Sequence, residues 1–277
     1  MPPSESKGGK SKKDPAQTGV DEIDRLADLK PCTIQDYIVG ASAYIRRQSA
    51  LAAGPKKACQ IRLSNALARA LAAEMESHLP QLAGRLVTDE QKVAAGLRTA
   101  NADVSESHVL DGLRLAVELK PINLAVGRAL WNRFGDIRTF AVNIHLKFPF
   151  AVVGGVLVIP TYEETGTSVA VAAEIFEADE SEEIVQSEHP AGQLPASAGP
   201  SRKGTTHLIE RAIERLIRAG GRKSEVESAH LLEGIAVVAY DPDSATIRVD
   251  LPKPGSGLRW EEFVRDLVAS YRARFED

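Results

Sequence analysis

The chain has 277 residues, 34 Lys plus Arg against 38 Asp plus Glu, a formal net charge of -4, and 43 % hydrophobic residues. That apolar share suffices for one large domain or a domain with a smaller helical lobe, and the net charge gives no general pull toward polyanions, which counts against a non-specific nucleic-acid coat. Two cysteines, Cys32 and Cys59, with no CxxC and no His cluster, support neither a disulfide framework nor a zinc site and read as buried thiols of a reducing, cytoplasmic compartment.

Residues 1–18 are rich in Pro, Ser, Gly and Lys and lack the apolar stretch of a signal peptide, so they read as a disordered tail. A helical lobe is expected over 19–95. Its two helices run from about Thr33 to Ala53 and Lys56 to Leu79, with Thr33 as N-cap and Gly54-Pro55 as the break between them. Arg46, Arg47, Lys56, Lys57 and Arg62 gather near that break, either as a solvated helix rim or as a phosphate-contacting patch.

An α/β core is expected over 96–277. It opens with a short hairpin that turns at Asp111-Gly112, where Gly tolerates the left-handed region. The strand Leu113 to Lys120 alternates strictly, so that Leu113, Leu115, Val117 and Leu119 share one face while Glu118 and Lys120 stand as neighbours on the other. A carboxylate for a hard cation and an ammonium near a water or phosphate suit metal-assisted phosphodiester cleavage. A second carboxylate comes from Asp103 or Asp111. The alternative is a solvated polar face with a chance salt bridge.

Leu124 to Lys147 reads as a long amphipathic helix carrying Arg128, Asn132, Arg133, Asn143 and His145. The apolar run from Phe148 to Pro160 contains Pro149 and two glycines and falls short of the roughly 20 residues that span a bilayer. It is a buried strand, and the order strand, helix, strand implies a crossover between parallel strands. No membrane association is expected.

Val169 to Phe176 is expected to form a short element, and about 177–203 reads as an acidic, Ser/Pro/Ala-rich disordered insertion. A helix from Thr205 to Ala219 ends at Gly220-Gly221, a hairpin pairs Gly234–Tyr240 with Ala245–Asp250, and an amphipathic helix spans Trp260 to Phe275. No phosphate loop, G-x-G-x-x-G turn, HExxH or G-x-S-x-G is present, which removes the commonest nucleotide-binding and hydrolase readings.

Asp103-Val104, then Asp111-Gly112-Leu113 through Glu118-Leu-Lys120, then His145-Leu-Lys-Phe-Pro149-Phe-Ala-Val152, together with Ala239-Tyr-Asp-Pro242 and Trp260-Glu-Glu-Phe263, resembles the PD-(D/E)xK nuclease superfamily and its restriction-endonuclease-like proteins. The resemblance covers about residues 95–160 and 205–277; Asp103 departs from the pattern in lacking a preceding Pro. It implies a mixed central sheet flanked by helices and Mg²⁺, or Mn²⁺ in its place, held by Asp103 and Glu118 with the Val117 or Leu119 carbonyl. Lys120 is the implied catalytic lysine, and Asp111 the substitute for Asp103. The implied activity is restriction-type endonucleolytic cleavage of double-stranded DNA, compatible with a homodimer. Arg128, Asn132, Arg133, Asn143 and His145 become DNA-contact candidates. The alternatives are a catalytically inactive scaffold or nucleic-acid-binding subunit on the same fold, and a plain interaction protein.

Overall fold

The computed structural model describes residues 23–165 and 201–276. The expected N-terminal tail, the Val169–Phe176 run and nearly all of the acidic insertion lie outside the described residues.

In chain order the helices are α1 (Ile34–Arg47), α2 (Ala53–His78), α3 (Val126–His145), α4 (Thr206–Leu216) and α5 (Trp260–Phe275). The strands are β1 (Gln91–Ala94), β2 (Thr99–Ala102), β3 (Val104–His108), β4 (Gly112–Pro121), β5 (Val152–Pro160), β6 (Tyr162–Thr165), β7 (Ser201–Gly204), β8 (Gly234–Asp241) and β9 (Thr246–Ile247). Thr33 caps α1 reciprocally: its hydroxyl accepts the Asp36 N–H at 3.1 Å, and the Asp36 carboxylate accepts the Thr33 N–H at 2.9 Å. Gly54 and Pro55 do not break the pair. They lie in the first turn of α2, where the missing proline N–H has no helical partner to lose, and the 3₁₀ turn Gln48–Ala50 separates the helices instead.

The central sheet is mixed, in the order β3-β4-β5-β8-β9. β3 runs antiparallel to β4, β5 is parallel to both β4 and β8, and β9 is antiparallel to β8. α3 provides the crossover from β4 to β5. The end of the expected acidic insertion, Ser201–Gly204, is not structureless but pairs as β7 with β6.

Helices cover both faces. On one, Ile38, Leu63, Leu67 and Leu71 of α1 and α2 share a continuous core with Val117, Leu119, Val156 and Val238 of the sheet and with Phe263 and Leu267 of α5. The N-terminal helices therefore form one layer of the sandwich rather than a separate lobe. On the other face Ile137, Ala141 and Ile144 of α3 and Ile209, Ala212 and Leu216 of α4 meet Ala116, Val153, Leu157 and Val237.

The alternation along β4 is broken. Glu106 pairs with Leu115 but Ser107 with Leu113, leaving Arg114 as a bulged extra residue. Leu113 consequently joins the α3-side core, while Leu115, Val117 and Leu119 pack on the α2 and α5 side.

Two close approaches depend on glycine. A Cβ on Gly155 would lie 2.5 Å from Ile137 Cγ2, so α3 seats against bare backbone of β5. Gly154 and Gly234, register partners on β5 and β8, both receive the Phe263 ring, where a Cβ would come within 3.0 Å and 2.9 Å of it.

Candidate active site

β3 begins at Val104 opposite Val117, and the residue before it ends the ladder in an unusual way. Asp103 donates its N–H to the Val117 carbonyl at 3.0 Å, and its Oδ2 accepts the Leu119 N–H at 2.6 Å. The side-chain carboxylate takes the place a strand partner would have occupied, which fixes it at the carboxyl end of β4. That is the end of a parallel pair where α/β sheets place their ligands.

Glu118 stands in register with Gly155 and therefore shares its face, the one covered by α3. Its Oε1 meets Lys120 Nζ at 2.5 Å, with side-chain exposures of 11 % and 20 %. Its Oε2 is buried and has no hydrogen-bond partner among the described residues. Burial raises the Glu118 carboxyl; Lys120 pulls it back, and Asp103 and Asp136 push it further up. Burial also raises Asp103, opposed by the Leu119 N–H and Lys120 and reinforced by Glu90. Asp103, Glu118 and Lys120 thus lie close enough to act on one another; Lys120 shares the α3-side face with Glu118, whereas Asp103 stands at the end of the sheet toward α2.

Asp103 also lines a cavity of about 330 Å³. Lys57, Gln60 and Asn65 of α2 and Glu90 line it as well. Of the basic residues near the start of α2, Lys57 lines this cavity, whereas Arg46 bonds the Pro242 carbonyl and Arg62 pairs with Asp24 at 2.7 Å.

Other expected site residues are elsewhere. Asp111 sits at the hairpin turn, paired with Arg114, at the opposite end of β4 from Glu118. At about 3.3 Å per residue the two are on the order of 20 Å apart, so Asp111 cannot replace Asp103. Asn143 is interior: its Oδ1 accepts the Leu97 and Arg98 N–H groups at 2.7 and 3.1 Å and its Nδ2 donates to Arg98 O at 2.7 Å, pinning the turn between β1 and β2.

His145 is interior as well. Its Nδ1 is 3.0 Å from Ala229 O, and its Nε2 lies 3.3 Å from Glu233 Oε2. Glu233 also accepts from Arg222 at 2.9 Å, Arg274 at 2.7 Å and the Val153 N–H at 2.8 Å. With their polar atoms so engaged, Asn143 and His145 do not reach DNA. Arg128 and Asn132 are exposed on α3, and exposed Arg133 pairs with Asp136 at 3.1 Å, beside Glu118.

Glu90 has no sequence signal, because it lies in an irregular segment and approaches Asp103 only through the fold. Asp136 could be read only from the crossover, which lays α3 across β4. Among the described residues no three or more His, Cys, Asp or Glu are gathered as a metal cluster, and none of the helices is long and apolar enough to cross a membrane. Comparison with protein-family models, with curated proteins and with solved structures yields no match.

Proposed function

We propose that this protein is a metal-dependent endonuclease of the PD-(D/E)xK kind acting on double-stranded DNA, with Asp103, Glu118 and Lys120 as its catalytic residues. The observation that carries the reading is the Glu118–Lys120 ion pair at the carboxyl end of the β4–β5 parallel pair, with the Asp103 carboxylate tied to the N–H of the intervening Leu119.

The donor set fits a divalent cation. Glu118 Oε2 is a buried carboxylate oxygen without a hydrogen-bond partner, and both carboxyls are pushed up by burial, a strain that a bound cation relieves. Asp103 and Glu118 would hold Mg²⁺ or Mn²⁺, which supplies Lewis-acid polarisation of the phosphoryl group and a more acidic water. Lys120, positioned by Glu118, orients the attacking water and faces the charge that develops on the phosphoryl oxygens. The Leu119 N–H holds Asp103 in place, and the Arg133–Asp136 pair carries a guanidinium to the rim for a flanking phosphate.

A second reading, a nucleic-acid-binding subunit without hydrolysis, draws on the Lys120–Glu118 contact, which satisfies the ammonium within the protein. Supercoiled plasmid with Mg²⁺ separates the two. Nicking or linearisation by the wild type that disappears in both Lys120→Ala and Asp103→Asn supports the hydrolase; binding without cutting supports the second reading. Cutting that survives both substitutions removes the assigned site.

A further inference from the structure

α3 has two flanks. One, with Asp136 and Arg133, looks toward the candidate site, and the other meets α4 through an aromatic ring. Trp131 of α3 lies under two guanidinium groups of α4, with Arg215 Cζ 4.1 Å and Arg211 Cζ 5.2 Å from the ring centroid. One turn on, Arg138 Cζ is 5.7 Å from the Phe134 centroid. Arg128, Arg138, Arg211 and Arg215 are all exposed, and among the described residues none has a carboxylate within 4 Å, unlike Arg133 and Arg202.

The arrangement is directional. Arg211 and Arg215 are at i, i+4 on α4 and so share a stripe on the Trp131 side, and Glu210 and Glu214 form their own i, i+4 stripe about 100° round the helix. On a chain of net charge -4, this concentrates positive charge on one ridge that no carboxylate among the described residues neutralises. A guanidinium held against an indole keeps its N–H edge for bidentate contact with a phosphate and loses less side-chain freedom on binding than a free arginine.

We infer that the α3–α4 ridge, centred on Trp131, Arg211 and Arg215, is a second contact surface for the phosphate backbone of duplex DNA. A duplex engaged at the site would cross α3 and rest on this ridge. The contact positions the substrate and carries no base-sequence information. The inference presumes a nucleic-acid substrate and to that extent rests on the proposed function, but binding can be read without cleavage.

The test is fluorescence anisotropy with a labelled DNA duplex in EDTA, at several salt concentrations, on the full chain and on Arg211→Gln/Arg215→Gln. Losing two phosphate contacts lowers the slope of log K against log salt by about 1.8, at about 0.9 per contact, so between about 50 and 200 mM salt the wild type loses roughly twelvefold more affinity than the variant. Each single substitution produces about half of that change in slope, and Arg211→Lys/Arg215→Lys keeps most of the wild-type slope.

An unchanged slope in a folded double variant overturns the ridge even if the wild type cuts plasmid. The expected loss of slope without cutting upholds the ridge while the hydrolase reading fails. Absence of duplex binding by the wild type, or tighter binding of single-stranded RNA than of duplex, overturns it as well.

Discussion

Glu233→Gln tests the interior ion cluster that joins four elements. Glu233 precedes β8 and its side chain is fully buried, yet it holds Arg222, Arg274 near the end of α5, and the N–H of Val153 in β5, with His145 at the end of α3 beside it. Burial alone raises its carboxyl, but His145, Arg274 and the Val153 N–H outweigh that and bring it from 4.5 down to about 2. The difference corresponds to about 3 kcal/mol of folding stability at neutral pH, the order expected when one partner of a buried ion pair is removed.

The sign follows from the depression. Stability from this group is present above pH 4.5, the unfolded value, and is lost as pH falls from 4.5 toward about 2. Glutamine preserves the shape but offers one acceptor and one donor to a ring of donors, so Tm at pH 7 should fall by about 6–12 °C, at about 2–4 °C per kcal/mol for a chain of this size. Urea melts of both proteins from pH 7 to pH 3, with the midpoints compared at unchanged m, give the measurement. A penalty under about 1 kcal/mol at pH 7, or one that does not shrink below pH 4.5, refutes the reasoning.

Three further outcomes concern the site and its support. Because burial raises Asp103 and Glu118, their stability contribution is full below their unfolded values and is lost as pH rises through the folded ones; Asp103→Asn and Glu118→Gln should therefore raise Tm at pH 7 to 8, an advantage that disappears below about pH 4 in thermal melts. Mg²⁺ at about 100 times its dissociation constant should stabilise the wild type by about 2.7 kcal/mol in calorimetry, and equal stabilisation of Asp103→Asn/Glu118→Gln would place the ion elsewhere. Gly155→Ala puts a methyl into Ile137 and should cost about 1–3 kcal/mol in urea melts, with slower plasmid cleavage because α3 is displaced from Glu118.

The crossover from β4 through α3 to β5 was legible because the strand, the long amphipathic helix and the apolar run follow the rules of parallel connection, and α5 because its helical period is clean from Trp260 to Phe275. The adjacency of Glu118 and Lys120 was equally readable from the period of two. The bulge at Arg114 was not, since an extra residue leaves no local signature in a sequence that alternates well on paper, and Leu113 consequently appeared on the wrong face. Asn143 and His145 looked like exposed polar helix residues; only the turn after β1 and the buried Glu233 reveal that their polar atoms are spent on tertiary contacts. Pro55 misled because a proline that ends one helix and a proline that starts the next look alike. The resemblance puts Asp103 ahead of Asp111, and the structure adds the reason: the first terminates the ladder beside Leu119, whereas the second is tied to Arg114 at the hairpin tip.

The surplus residue at Arg114 sets β4 in two phases, one for the hairpin tip and one for the end that carries Glu118 and Lys120. Excising that single position would restore an even count, and the strand would then have to choose: either Leu113 moves from beneath α3 to the layer of α2 and α5, or Glu118 and Lys120 rotate into that greasy layer while Val117 and Leu119 turn outward. The parity of one strand, rather than any contact made by the arginine, thus decides whether the acid and the amine reach the candidate site at all.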